Sequence, residues 1–292
     1  MTFSFIQITD HHLRESETTL TRGYSTWHAF RCVMRHIAQH HADADFIVST
    51  GDLVNSGGDG DLVNVDANAQ YQYLRRALNL TEVAELPGPL HISIEGLRAM
   101  PFYVLPGNLD PREAFFRNMF PSIGAIHAVG AVQSPSGSYR RDESPLQMNV
   151  VFAHKGVQFI CVDWGAHNQA ITTPAMLDFL AQALRNPLPS ILLMHQHVVP
   201  VGLPLWDSWI ADDIASFWAV LAGQNVLGIF SGHTHVTSKS RIGDVPIYGL
   251  RSTSYTFAQS GETILAVLRP PHYRVVTIAN QILSTEIVEV PL

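Results

Sequence analysis

Apolar runs alternate with helical periodicities along most of this chain, and each early run stops at a polar cluster. Phe3-Ser4-Phe5-Ile6-Gln7-Ile8 reads as a strand from its aromatic and β-branched content and runs into Thr9-Asp10-His11-His12-Leu13. From Ser25 to about His41, the residues Trp27, Phe30, Met34, Ile37 and Ala38 recur at spacings of three and four, which predicts a helix capped by Ser25. Phe46-Ile47-Val48-Ser49 predicts a second strand, ending in Thr50-Gly51-Asp52-Leu53. A second helical pattern carries Tyr71, Leu74 and Leu78 on one face, and residues 80–98, with Pro87, Gly88 and Pro89, read as irregular. Phe102-Tyr103-Val104-Leu105 is the third strand, ending in Pro106-Gly107-Asn108-Leu109-Asp110, with a short helix from Pro111.

Residues 121–150 are rich in Gly, Ser and Pro and predict a long loop with one hairpin. A strand is expected over 156–163, then a helix from Thr173 to Leu184 with Pro174 in its first turn. Ser190-Ile191-Leu192-Leu193-Met194 stops at His195-Gln196-His197. After a helix over Asp212 to Leu221, Val226-Leu227-Gly228-Ile229-Phe230 stops at Ser231-Gly232-His233-Thr234-His235. Beyond it the pattern changes to short strands at 245–250, 263–268, 273–278 and 282–290.

Strands alternating with helices imply a largely parallel sheet covered on both faces. Ligands bind beyond the carboxyl ends of such strands. Asp10/His12, Asp52, Asn108, His195/His197 and His233/His235 are therefore expected to meet at one sheet edge.

Composition narrows the classes. The chain has 292 residues, 46% of them apolar, enough for a sizeable core. A net charge of −7 leaves no broad basic surface for a nucleic-acid polymer or an anionic membrane, while a small anionic substrate held by metal ions stays compatible. Cys32 and Cys161 lie in apolar patterns and read as two isolated core thiols in a reducing compartment. No apolar stretch reaches the ~20 residues of a membrane helix. The N-terminal segment lacks the basic start of a signal peptide, so a cytoplasmic location is expected.

Singly, each cluster also reads as a turn or a loop. Together they combine hard carboxylate oxygens, neutral imidazoles and an amide carbonyl, a set that suits Fe, Mn or Zn better than Ca. The donors are too many for one tetrahedral ion and suit two, with a carboxylate such as Asp52 between them. Two ions about 3.5–4 Å apart can hold a hydroxide and polarise a phosphoryl oxygen.

The series Asp10-x-His12, Gly51-Asp52, Gly107-Asn108-x-Asp110, His195 and Gly232-His233-x-His235 resembles the calcineurin-like metallophosphoesterase superfamily. The resemblance implies an α/β fold, a four-layer α/β/β/α sandwich with two mixed sheets. It implies a single domain over residues 1–292 in which residues 236–292 complete the second sheet. Asp10, His12 and His235 would hold the first metal, Asn108, His195 and His233 the second, with Asp52 bridging. Asp52 and Asn108 would act through a metal-bridging hydroxide, with no side-chain nucleophile. Within the superfamily, Leu193-Met194-His195-Gln196-His197-Val198-Val199-Pro200-Val201-Gly202, the following Trp206-Asp207 and the overall size are similar to bacterial class III cyclic nucleotide phosphodiesterases and glycerophosphodiesterases. Gln196 and Val198 interrupt the usual form of consecutive histidines followed by prolines. The resemblance implies a small phosphodiester as substrate, cyclic nucleotides first, and a homodimer.

One departure stands out. The family usually has a histidine after Gly-Asn, and here that position is Leu109, which can neither donate a proton nor stabilise charge. General acid help is worth about 10²–10⁴-fold, so a substitute donor is one expectation, with His11, His127, His154 and His197 as candidates. A substrate with a good leaving group, such as a pyrophosphate, is another, since relatives that cleave nucleotide-lipid pyrophosphates replace the histidine with Arg. A third is a phosphomonoesterase, and a fourth a metal-binding protein of weak turnover. Asp110 then either pairs elsewhere or caps the helix from Pro111. In the long segment between Asp52 and Asn108, residues 56–68 and 80–98 are expected to add a loop over or beside the metal edge, or to be a tolerated surface insertion. Arg251 follows a late strand and is a candidate phosphate or base contact.

Overall fold

The computed structural model describes residues 2–56, 66–81, 89–93, 99–121, 131–133, 146–260 and 263–292. Two six-stranded mixed sheets form its centre. In the first, β1 (Thr2–Ile8), β2 (Phe46–Thr50) and β4 (Met100–Leu105) run parallel, with β3 (Leu90–Ile92) antiparallel at one edge. On the other side of β1, β15 (His272–Ala279) and β16 (Ile282–Glu289) pair antiparallel. In the second, β8 (Val157–Val162), β9 (Ser190–Met194), β10 (Val226–Ser231) and β12 (Val245–Gly249) run parallel. Antiparallel β7 (Val150–His154) and β11 (Ser238–Ile242) form its edges. Two small pairs remain, β5 (Ala131–Gln133) with β6 (Leu146–Met148), and β13 (Thr256–Ser260) with β14 (Thr263–Val267).

Strand alternation sorts the apolar residues into layers. Phe159, Cys161, Ile191, Leu193 and Phe230 point from the second sheet into the core shared with the first. Phe5 meets Phe159 and Phe230 edge to face at 5.4 and 5.9 Å, closing the sheets upon each other. The intervening residues Ile160, Val162, Leu192, Met194 and Ile229 instead pack against α4 (Pro174–Ala183) and α6 (Ile214–Leu221). Helices α1 (Thr26–His40), α2 (Ala67–Ala77) and α3 (Arg112–Met119) pack on the first sheet. The result is the α/β/β/α sandwich. Ser25 caps α1 by accepting from the His28 N–H, and Thr173 caps α4 by accepting from the Met176 N–H.

Three expectations change. The polar clusters come from both sheets rather than one, because β9 and β10 lie across the core from β1 and β2. Of the late strands, β11 and β12 extend the second sheet, but β15 and β16 join the first, on the edge of β1 left open by β2. Their alternating burial suits an antiparallel margin with one face outward. Cys32 is half-buried rather than a core thiol, while Cys161 is buried, and the two are unpaired. Strands β3, β7, β11 and β13 and the short α5 (Pro204–Asp207) lie outside the predicted elements, being short or carrying little apolar pattern. Among the described residues no helix is long and apolar enough to cross a membrane.

Candidate metal centre

The carboxyl ends of five strands converge. β1 delivers Asp10 and His12, β2 Asp52, β4 Asn108, β9 His195, and β10 His233 and His235. Except for half-buried Asn108, all seven are buried.

Two groups of donor atoms result. In the first, the Nε2 atoms of His12 and His235 are 2.9 Å apart, and Asp10 Oδ1 is 3.3 Å from His235 Nε2. In the second, Asn108 Oδ1 lies 2.9 Å from both His195 Nε2 and His233 Nδ1. Asp52 stands between them and divides its oxygens, Oδ1 at 3.5 Å from His195 Nε2 and Oδ2 at 3.9 Å from His12 Nε2. Ligands about 2.1 Å from a transition metal lie roughly 3 Å from each other, so these spacings match the edges of coordination polyhedra. Two groups, Asp10-His12-His235 and Asp10-Asp52-His195, each bring their ligand atoms within 4.8 Å of one another, a spacing that suits bound metal ions.

The backbone is bent to achieve this. Asp10, His12, Asp52, His233 and His235 all have positive φ, between 50° and 69°. Left-handed backbone is costly for residues with a Cβ and gathers at functional sites. Packing is tight as well: a Cβ on Gly107 would lie 2.2 Å from Asp52 Oδ1, and one on Gly232 would lie 2.0 Å from Thr9 Oγ1 and 2.5 Å from Asp10 Oδ2.

Neighbours orient the donors. His195 Nδ1–H donates to the Thr50 carbonyl at 2.8 Å, and His235 Nδ1–H to the Tyr255 carbonyl at 2.7 Å, which turns each Nε2 lone pair inward. The Thr9 hydroxyl and the His233 N–H donate to the Asp10 carboxylate at 2.7 and 3.0 Å, the latter linking the two sheets. Ser252 and Ser254 donate to the Asp10 carbonyl.

Charge is concentrated here. Burial alone would raise the Asp10 and Asp52 carboxyls, but the surrounding histidines override it and hold both below the usual range. Burial alone would lower His195, but Asp52 and Asp10 hold it up at about 9. Burial, with His195 and His197 beside it, pushes His233 well down. Two buried carboxylates thus attract a proton to His195, at a place where a metal ion would carry the positive charge.

A pocket of about 240 Å³ opens over this cluster. Asp52, Asn108 and Leu109 lie in its lining, and Trp206, Trp209, Tyr255 and Phe257 form an aromatic wall. Phe257 packs on His235 at 4.6 Å, Tyr255 on His12 at 5.2 Å and Trp209 on His233 at 5.5 Å between ring centroids. Arg22 is the one Arg or Lys lining it among the described residues.

The candidate substitutes for the missing histidine fare poorly. Both nitrogens of His11 are engaged, with Thr253 at 2.7 Å and Ser49 at 2.8 Å. His154 pairs with Asp45, just before β2 and so at the far end of that strand. His197 is buried, stacks on His233 and does not line the pocket. His127 lies outside the described residues. Arg251 does not reach the pocket either, because the Pro270 carbonyl and Glu289 hold its guanidinium.

Asp110 pairs rather than caps. It accepts from Gly107 N at 2.8 Å, Leu53 N at 3.0 Å, Val54 N at 3.3 Å and Tyr71 Oη at 2.6 Å, locking the Asn108 and Asp52 loops together. Pro111 occupies the cap of α3. Within 56–98, the Ser56 hydroxyl donates to the Leu109 carbonyl and α2 supplies Tyr71. The loops expected over the metal edge fall mainly on 57–65, 82–88 and 94–98, outside the described residues. Trp206 lines the pocket, while Asp207 accepts from the Val201 and Gly202 N–H groups. Arg22, Trp209, Tyr255 and Phe257 were not among the sequence candidates, because their segments share no pattern and meet only through the fold.

The α/β/β/α sandwich with a buried histidine–carboxylate cluster at its strand ends defines an α/β protein with a candidate metal centre. The chain belongs to the calcineurin-like phosphoesterase family, whose profile matches residues 3–237. It is 25% identical over 290 residues to a 3′,5′-cyclic-nucleotide phosphodiesterase of Nostoc sp. PCC 7120, covering 99% of this chain and 92% of that one. It is 25% identical over 239 residues to the 3′,5′-cyclic adenosine monophosphate phosphodiesterase CpdA of Escherichia coli K12, covering 79% and 68%. GAP50, the anchor in the inner membrane complex of Plasmodium, shares the fold with a TM-score of 0.55 at 13% identity, covering 99% of this chain and 84% of that one.

Proposed function

We propose that this protein hydrolyses a small phosphodiester, a 3′,5′-cyclic nucleotide first, using two transition-metal ions of the Fe, Mn or Zn type. The observation that carries this is the division of Asp52 between two donor groups. When bound, such ions supply Lewis-acid polarisation of the phosphoryl group and a water of lowered pKa. Asp10, His12 and His235 would hold one ion, Asn108, His195 and His233 the other, and Asp52 would contact both. Among the described residues no Ser, Thr or Cys lines the pocket, in keeping with direct attack by water. The aromatic wall offers stacking surface for a base. The named activities of the bacterial relatives support a cyclic diester.

The test is turnover of bis(p-nitrophenyl) phosphate and cyclic AMP by Mn²⁺-loaded protein, with loss of both on chelation. Absence of turnover with metal bound, unrestored by Leu109→His, would sink the proposal. Leu109 favours a second substrate class, nucleotide pyrophosphates, whose leaving group needs no acid. A panel of monoesters, diesters and pyrophosphates separates the classes.

A further inference from the structure

Leu109 leaves open what stabilises the departing oxygen, and a cation elsewhere in the pocket answers. Thr21 and Tyr24 exchange two backbone hydrogen bonds of 2.9 Å around the two-residue loop Arg22-Gly23. Both loop residues have positive φ, 51° and 81°, the signature of a type I′ turn. Its first position favours Asn, Asp or Gly, so an arginine there opposes local preference, and such outliers gather where a side chain has a task. The turn is braced: Asn55 Nδ2 donates to Thr21 Oγ1, and the Tyr24 hydroxyl donates to the Ala266 carbonyl of β14, each at 3.4 Å. The guanidinium lies 5.8 Å from the ring centre of Tyr255 and 5.7 Å from that of Phe257, the rings that back His12 and His235. It lines the same pocket as His12, His235 and Leu109.

We propose that Arg22 is the substrate-anion contact of this site and stabilises charge on the leaving oxygen, the task a histidine at 109 would share. This rests on the phosphodiesterase reading above. In the reaction one P–O bond forms to a water oxygen and the P–O bond to the leaving alkoxide breaks. The proton lost by the water reaches the leaving oxygen through solvent. Arg22 keeps its own proton throughout and acts through charge.

Arg22→Asn removes the charge and suits the turn, so the melting temperature should hold or rise. With Mn²⁺-loaded protein, kcat/KM for cyclic AMP, which expels an alkoxide, should fall about 10–100-fold. The fall for bis(p-nitrophenyl) phosphate, which expels a stable phenolate, should be smaller. Affinity for inorganic phosphate, followed by tryptophan fluorescence, should weaken about tenfold. Arg22→Lys should retain part of each, and Leu109→His should return part of the cyclic AMP activity to Arg22→Asn. An Arg22→Asn protein equal to the parent on cyclic AMP and in phosphate affinity overturns the assignment. A parent that hydrolyses neither diester defeats the phosphodiesterase reading instead, and the phosphate titration alone then decides Arg22.

Discussion

The Leu109 N–H donates to Asp52 Oδ1 at 2.8 Å, so position 109 holds the shared carboxylate through its main chain whatever its side chain. The side chain faces the pocket and can be exchanged without touching that bond. Leu109→His should leave metal content unchanged and raise kcat on alkyl diesters by about tenfold or more, toward the range of general acid catalysis. Equal kcat in both proteins on cyclic AMP would count against an open acid position.

Tyr71 and Asp110 form a fully buried pair at 2.6 Å. Tyr71→Phe removes one donor of four and should cost about 1–2 kcal/mol. Asp110→Ala strands three buried N–H groups and should cost more, about 3 kcal/mol or above, while loosening the Asn108 and Asp52 loops. Urea denaturation and metal content read the two effects separately.

His195 makes the metal-free protein sensitive to pH. Its value of about 9 lies above the ordinary 6.5, so the native state holds an extra proton between the two. Its stabilisation is complete below pH 6.5 and is lost as pH rises through about 9, a loss of roughly 3 kcal/mol. His195→Gln should flatten this slope in melts across that range. Metal binding must displace the same proton, so calorimetry at pH 7.5 in buffers of different ionisation enthalpy should register proton release. Binding heats independent of buffer would contradict this.

Gly232→Ala forces a methyl group against Thr9 and the Asp10 carboxylate. The atoms it meets are the Thr9 hydroxyl and the Asp10 carboxylate, which are hydrogen-bonded to each other, the carboxylate also accepting from the His233 N–H, so relief displaces a candidate donor. The variant should bind metal at least tenfold more weakly and lose about 2 kcal/mol or more of stability. Normal metal affinity would show that the loop relaxes freely.

Much of this was legible along the chain because periodicity is local. The period-three-and-four face of α1, the fully buried runs of β2 and β9, and the polar residues that end β1, β2, β4, β9 and β10 can be read without knowing what they touch. Strand pairing is not local. β11 and β13 carry weak patterns, and whether β15 and β16 join one sheet or the other depends on which edge is open.

The sequence by itself determined the donor types, their order and their positions at strand ends, since these follow from residue identity and short-range pattern. Only the tertiary structure decided that the donors come from two facing sheets and that Asp110 turns to Tyr71. It also brought Arg22 into the lining of the same pocket. These relationships join residues distant in the chain, and their geometry is set by sheet packing and left-handed turns that no local pattern encodes.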